Sequence, residues 1–230
     1  MKRSCRGALL AERAAFLDTG AMNDEQQALK VLARDPRFKK LIAKHGAPVW
    51  RPRGTAFRSL ARAIIHQQVS TAAAKSIERK FLSLFPRDSF PTPARVAALS
   101  VHQLRAAGLS AQKATYLHDL AAKFSDGTVR HRKLPYMTND EIVEHLTKVK
   151  GIGVWTVHMF LIFTLRRPDV LPVGDLGIRK GFQAIYGSKT LPDAAEMERR
   201  AAAWRPHASV ASWYLWRAAG DAATARQKRS

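Results

Sequence analysis

The sequence predicts an all-α fold, and three observations point to it. Apolar residues recur at helical rather than alternating spacing. Ser, Thr and Asp stand where helices should begin, in places with Gln or Glu three positions on. No segment shows sustained β alternation, and no internal repeat is visible.

The elements follow in order. Phe57, Leu60, Ala61, Ile64 and Ile65 form one i, i+3, i+4, i+7, i+8 stripe. Ala73, Ile77, Phe81 and Leu84 continue with helical spacing. Between them lies His66-Gln67-Gln68-Val69-Ser70, a polar patch that a core helix would not carry, so a turn is expected there. Pro91 and Pro93 break the chain. Ser100 with Gln103 makes a capping-box pattern, and Gly108 suits a helix C-terminus. Ser110 caps a segment running to about Phe124, and Asp126-Gly127 opens a loop over 126–137. Thr138-Asn139-Asp140-Glu141 is a capping box ahead of Ile142, Val143 and Leu146. That helix ends at Gly151-Ile152-Gly153, and an apolar, buried helix is expected from about Val154 to Leu165. Pro168 and Pro172 hold the next stretch extended. Asp193 to Gly220 is helical again, interrupted at Pro206, with a frayed basic tail over 223–230.

Charge narrows the partner. The chain has 39 Lys+Arg against 18 Asp+Glu, a formal net charge of +21. The excess runs through the body, at Arg51, Arg53, Arg58, Arg62, Lys75, Arg79, Lys80, Arg166, Arg167, Arg179 and Lys180. A solubilising surface accounts for part of it, but a polyanionic partner fits better. A membrane surface fits less well, because no basic amphipathic helix with an exposed aromatic face stands out. Cys5 is the only cysteine, which excludes intrachain disulfides and cysteine-built zinc or iron–sulfur clusters and fits a reducing compartment. The apolar run near the start is broken by Glu12 and Arg13, so no signal peptide is expected, and no stretch is long enough to span a bilayer.

Two features carry chemistry. Gly151-Ile152-Gly153 lies between helices, and such a turn exposes N–H groups at a helix start, an anion site. It is no P-loop, lacking the Lys-Ser/Thr pair. Gly151 also reads as a simple helix stop. About one helix downstream, Asp175 stands in apolar surroundings. It reads as the N-cap of a helix starting near Leu176, and equally as a carboxylate able to stabilise positive charge on a sugar or to orient water.

Three blocks, ARAIIHQQVSTAAAKSI (61–77), LTKVKGIGVWTVHMFLIFTLRRPDVLPVGDLGIRKG (146–181) and WRPHASVASWYLWRAAG (204–220), carry a resemblance that GLSAQKATYL (108–117) supports. In order and spacing they resemble the helix-hairpin-helix (HhH-GPD) DNA glycosylases, and among these the 3-methyladenine DNA glycosylase II branch in its compact all-helical form. The resemblance covers roughly residues 30–220. It implies two helical subdomains flanking an active-site cleft, within a glycosylase domain over 26–222. One subdomain would span about 56–170, the other about 26–55 plus 175–222, with an N-terminal extension over 1–25.

The resemblance also implies roles. Asp175 is the catalytic carboxylate. The N–H groups of Gly151, Gly153 and Thr156 grip the DNA backbone, with Lys148 and Lys150 as phosphate contacts. Backbone carbonyls of Thr147, Val149 and Ile152 hold a structural monovalent cation, Na+ or K+. Gln68 is the wedge that fills the gap left by an extruded nucleotide, where some members carry a bulky aliphatic residue. Trp155 and Trp216 line the base pocket, with Phe57 a further candidate. N-alkylated purines are cationic, and aromatic faces attract cations by about 0.5–2 kcal/mol per contact. Trp155, Trp213, Tyr214 and Trp216 could supply such faces, although plain core packing accounts for each equally simply.

Bifunctional members carry a nucleophilic lysine two residues after the second hairpin glycine. That position is Trp155 here. The expectation is a monofunctional, monomeric enzyme releasing 3-methyladenine and 7-methylguanine from double-stranded DNA without a catalytic cofactor or strand cleavage. It would act in the bacterial cytoplasm at the nucleoid, or in a nucleus. Two alternatives stay open: a related glycosylase for deaminated, oxidised or mismatched bases, and a non-catalytic hairpin DNA binder. The eight histidines show no metal-ligand spacing, and His66 reads as either structural or DNA-contacting.

Overall fold

The computed structural model describes residues 24–50, 54–86 and 88–228. Cys5, Arg51, Arg53 and nearly all of the expected N-terminal extension lie outside them. Among the described residues the regular elements are all helical: α1 over 24–32, α2 (Pro36–His45), α3 (Ala56–His66), α4 (Thr71–Ser83), α5 (Pro93–Ala97), α6 (Val101–Ala106), α7 (Ala111–Ser125), α8 (Asn139–Thr147), α9 (Val154–Phe163), α10 (Leu176–Tyr186), α11 (Ala194–Ala201) and α12 (Ala208–Gln227). The chain forms two compact units, one of Met1–Val49 with Pro168–Ser230, the other of Trp50–Arg167.

The Trp50–Arg167 unit is built around α3 and α7. The α3 stripe is buried as its spacing predicts, and α3 packs on α4, α7 and α9. Ser110 caps α7, which turns Ala114, Leu117, Leu120, Ala121 and Phe124 inward. Both capping boxes form, at Ser100 for α6 and Thr138 for α8. The face of α4 differs from expectation. Ala74, Glu78 and Phe81 are its buried residues, while Ala73 is exposed. The inner face is rotated by one residue because Glu78 turns inward to meet Arg62 and His66 of α3, each at 2.9 Å.

Phe57 sits in a phenylalanine cluster with Phe90 at 6.2 Å and Phe124 at 5.4 Å between ring centroids, and is 4% exposed. Its ring is packed into the core of this unit. Over 126–137 the expected loop contains a short 3-10 turn at Leu134–Tyr136. The Arg167 guanidinium holds this turn by donating to the carbonyls of Leu134, Pro135 and Met137.

In the other unit, α12 is the axis. It packs on α10 and α2. Phe38, Phe182, Trp204 and Tyr214 fill the space between them, with Phe38 and Trp204 edge to face at 4.9 Å and Phe182 and Trp204 at 5.3 Å. Tyr214 is fully buried, and its hydroxyl donates to the Gly46 carbonyl at 2.7 Å. The helix does not fray near Ala222. It continues to Gln227, and Asp221 ties it to α2 through Lys44 at 2.8 Å and His45 at 2.9 Å.

The α10–α12 contact depends on Gly181, where an added Cβ would overlap the Leu215 carbonyl oxygen. Backbone cannot give way as a side-chain tip can. Gly181→Ala is therefore expected to lower stability by about 2–3 kcal/mol, read as a shift of the urea midpoint at constant slope. A change of only a few tenths would mean the helices separate freely.

Candidate functional site

The hairpin is built from the end of α8 and the start of α9. Ile142, Leu146, Val149 and Ile152 are buried and fix the two arms. The glycines have different reasons to be there. Gly151 has φ +80°, and a Cβ on it would run into the Tyr116 ring of α7. Gly153 has an ordinary φ of −94°, and a Cβ there would meet nothing within 4 Å. Among the described residues nothing demands glycine at 153, and the surface there is bare. α9 has no side-chain cap, whereas α2 to α8, α10 and α11 each carry one. The first-turn amides, including that of Thr156, therefore meet no capping side chain, at the positive end of the helix dipole.

Asp119 of α7 anchors the hairpin. Its Oδ2 accepts from the Lys150 backbone N–H at 2.9 Å and from Lys123 Nζ at 2.8 Å. Lys123 also donates to the Lys148 carbonyl at 2.7 Å. Partial burial works against the charge on Asp119, but the bonds from Lys123 and Lys150 outweigh it and hold its carboxyl below the ordinary value.

A groove of about 590 Å³ runs along this hairpin. Gln67, Gln68, Lys113, Tyr116, Thr147 and the residues from Lys148 to Gly153 are among those lining it. Gln68 lies in the turn between α3 and α4 with φ +53°, a left-handed conformation uncommon outside glycine. Such strain marks functional turns often enough to be informative. Lys113 crosses to this turn's root and donates to the Ile65 carbonyl at 2.8 Å, and burial pushes its ammonium pKa down.

In the other unit, Asp175 is the N-cap of α10 and is 8% exposed. Its Oδ1 accepts from Ile178 N–H at 2.8 Å and from the Trp216 indole Nε1–H at 2.9 Å. Gly177 makes the second bond possible: a Cβ there would lie 2.8 Å from Trp216 Cδ1 and 3.0 Å from Asp175 Oδ1. Two donors on one oxygen fix the plane of the carboxyl.

Several expected residues thus come together. Thr147, Lys148, Val149, Lys150, Gly151, Ile152, Gly153 and Gln68 share the groove. Lys148 pairs with Glu144 at 3.2 Å, but that pair is largely exposed and weak. Trp155, in the first turn of α9, is 52% exposed, as a binding face requires. Trp213 and Tyr214 are buried, and Arg217 covers Trp213 at 4.5 Å. His66 pairs with Glu78, which favours its structural reading. Sequence reasoning missed Gly177, Asp119 and Lys123. Only Gly177 carried a local signal, as a small residue two positions after the carboxylate.

Asp119→Asn keeps an acceptor for Lys150 but removes the charge facing Lys123. Stability at neutral pH is expected to fall by about 1–2 kcal/mol. The folded-state pKa of Asp119 is depressed, so the lost contribution is present above the unfolded value near about 4 and disappears as pH falls through the folded one. The difference between wild type and variant should therefore close on acidification. Urea midpoints across pH measure it, and a gap independent of pH would contradict the charge role.

Residues 61–206 match the model of the HhH-GPD superfamily base excision DNA repair protein. The chain is 32% identical over 182 residues to DNA-3-methyladenine glycosylase 1 of Schizosaccharomyces pombe, covering 79% of this chain and 80% of that protein. Among solved structures, the Schizosaccharomyces pombe 3-methyladenine DNA glycosylase in complex with abasic DNA superposes with a TM-score of 0.71 at 33% identity, covering 83% of this chain and 95% of that one. A DNA-3-methyladenine glycosidase from Bacillus halodurans gives 0.76 at 33% identity, covering 84% and 89%. The chain belongs to the HhH-GPD superfamily of base excision DNA repair proteins.

Proposed function

We propose that this protein is a monofunctional DNA glycosylase that hydrolyses the N-glycosidic bond of alkylated purines, 3-methyladenine and 7-methylguanine, in double-stranded DNA. The observation that carries the proposal is the Asp175 carboxylate, oriented by Ile178 N–H and Trp216 Nε1–H at the start of α10. A buried, preorganised anion needs no reorganisation when positive charge develops beside it. An alkylated purine is a cationic leaving group, so the bond breaks with little acid assistance. Asp175 would stabilise the oxocarbenium-like sugar, formed as the C–N bond breaks and the base leaves neutral, until water adds at its anomeric carbon and gives up a proton to solvent, leaving an abasic site and free base.

The hairpin would supply the grip. The Gly153 surface is open, and the first turn of α9 has no capping side chain, next to a groove that also carries Lys148 and Lys150. A phosphate suits that set of donors. Gln68 would enter the duplex where the lesion leaves it, offsetting part of the few kcal/mol that unstacking costs. Trp155 and Trp216 would offer faces to the extruded base.

With Trp155 where a Schiff-base lysine would stand, abasic DNA should not be cut. No catalytic cofactor is required. Thr147, Val149 and Ile152 all line the groove, and Thr147 closes α8, where last-turn carbonyls lack onward helical partners. A Na+ or K+ ion held there would link them to a phosphate. Among the described residues, no side-chain cluster suits a metal ion, and no helix is long and apolar enough to cross a membrane. Action as a monomer, wherever the cell keeps its DNA, completes the proposal.

Asp175→Asn should lower release of methylated purines from duplex DNA by roughly 10²–10³-fold. Trp216→Phe, which keeps an aromatic face but loses the donor to a charged acceptor, should lower it by about 10-fold or more. Free base is measured by chromatography, with strand breaks scored before and after alkali. Breaks before alkali would rule out the monofunctional assignment, and near-normal release by Asp175→Asn would remove its role. With about five phosphate contacts, log K for duplex should fall with a slope near −4.5 against log salt. A flat response would contradict the phosphate grip.

A further inference from the structure

We infer that Gln67 is a positioning residue that couples the wedge turn to the phosphate-gripping hairpin. Its side-chain Nε2 donates to the Gly151 carbonyl at 2.8 Å, joining residues 84 positions apart in the chain. The assignment of the amide is unambiguous, because a carbonyl can only accept. Each end of this bond is held in a fixed place. Gly151 is pressed against Tyr116 and has a positive φ that other residues resist. Gln67 immediately precedes Gln68, whose left-handed φ of +53° is the strained point of the turn.

The function of such a strut follows from the proposed reaction, on which this inference rests. Extrusion needs two forces with a set separation: a grip on the backbone and a wedge in the stack. If the turn floats relative to the hairpin, DNA bound by its phosphates still meets Gln68, but the push is spent on moving the turn. The Gln67 bond closes that route. Lys113, which bonds the Ile65 carbonyl, braces the same turn from α7. It acts at the end of α3, whereas Gln67 acts directly on the residue before the wedge. Glu78 and His66 hold the far side of the turn through their 2.9 Å contact.

A bond of this kind, removed singly, should matter modestly for stability and more for extrusion. In Gln67→Leu the side chain keeps its bulk and loses the donor. In Gln67→Glu it keeps its shape and sets an oxygen against an oxygen. For both, single-turnover excision of 7-methylguanine should fall about 10-fold, while affinity for undamaged duplex, set by phosphate contacts, stays within about twofold. A 2-aminopurine placed beside the lesion should show a matching loss of the fluorescence rise that accompanies extrusion. The decisive arm is the double variant with Gln68→Ala. If Gln67 acts through the wedge, the double variant is no slower than Gln68→Ala alone. Additive losses, or Gln67 variants that excise and extrude like wild type, would overturn the coupling. Variants that lose duplex affinity in proportion to excision would also overturn it, since the hairpin itself would then be what Gln67 supports. Absence of base release by wild type would instead refute the proposed function and leave the 2-aminopurine arm to judge the coupling.

Discussion

The Asp175 carboxylate, 8% exposed at the start of α10, sets the terms for the unit that contains it. A charge withdrawn from water must be matched by donors, or it costs several kcal/mol. One donor, Ile178 N–H, comes with the helix. The other, Trp216, comes from a different helix and must be delivered. That delivery requires α12 to lie close against α10, which Gly181 allows by leaving room for the Leu215 carbonyl. It requires Gly177 to leave room for the indole. It also requires α12 to be held from its other side, as Tyr214 and Asp221 do through Gly46, Lys44 and His45. The aromatic core of this unit is thus the support of one hydrogen bond.

The Trp50–Arg167 unit solves a different problem, because the helix start its hairpin presents, that of α9, has no capping side chain. Backbone amides cannot be tuned by substitution. They are positioned by the turn that contains them, and the turn is positioned by its neighbours. Tyr116 fills the space that a Cβ at 151 would take, and Asp119 with Lys123 ties the turn's N–H and C=O groups to α7. The two hairpin glycines therefore answer to different pressures. Gly151 is required by its positive φ and by Tyr116, whereas a Cβ at Gly153 would meet nothing within 4 Å.

How much of this the sequence disclosed depends on whether the signal was local. Ser110, Ser100, Thr138 and Asp175 cap the helices they stand before, because capping is settled within four residues. The helices α2 and α5 carry the same signal, Asp35 and Thr92 ahead of prolines, yet Pro93 reads as a break unless its place at a helix start is noticed. The inner face of α4 was hidden because Glu78 is buried only by virtue of Arg62 and His66, and spacing alone assigns a glutamate outward. Phe57 illustrates the converse. An aromatic on a helical stripe suits core and pocket alike, and its packing against Phe90 and Phe124 could not be read from the spacing. The bond from Trp216 to a carboxylate 41 positions earlier had no local signal at all.

The net charge of +21 invites the idea that every cation faces DNA. The structure divides them. Arg167 is absorbed by three carbonyls, Arg205 by Asp169 and Glu198, and Arg37 and Arg200 by the Tyr186 ring. These guanidinium groups are framework, chosen for planar bonding and stacking that lysine cannot imitate. The groove along the hairpin is lined instead by Lys113, Lys148 and Lys150. A lysine is a compact point charge on a flexible stem, and of these three Lys113 is held at 2.8 Å by the Ile65 carbonyl. The whole charge still contributes a long-range field that draws a polyanion in. Contact and steering are thus separate quantities, and the number of ions released on binding should follow the few groove lysines and helix-start amides rather than the total charge.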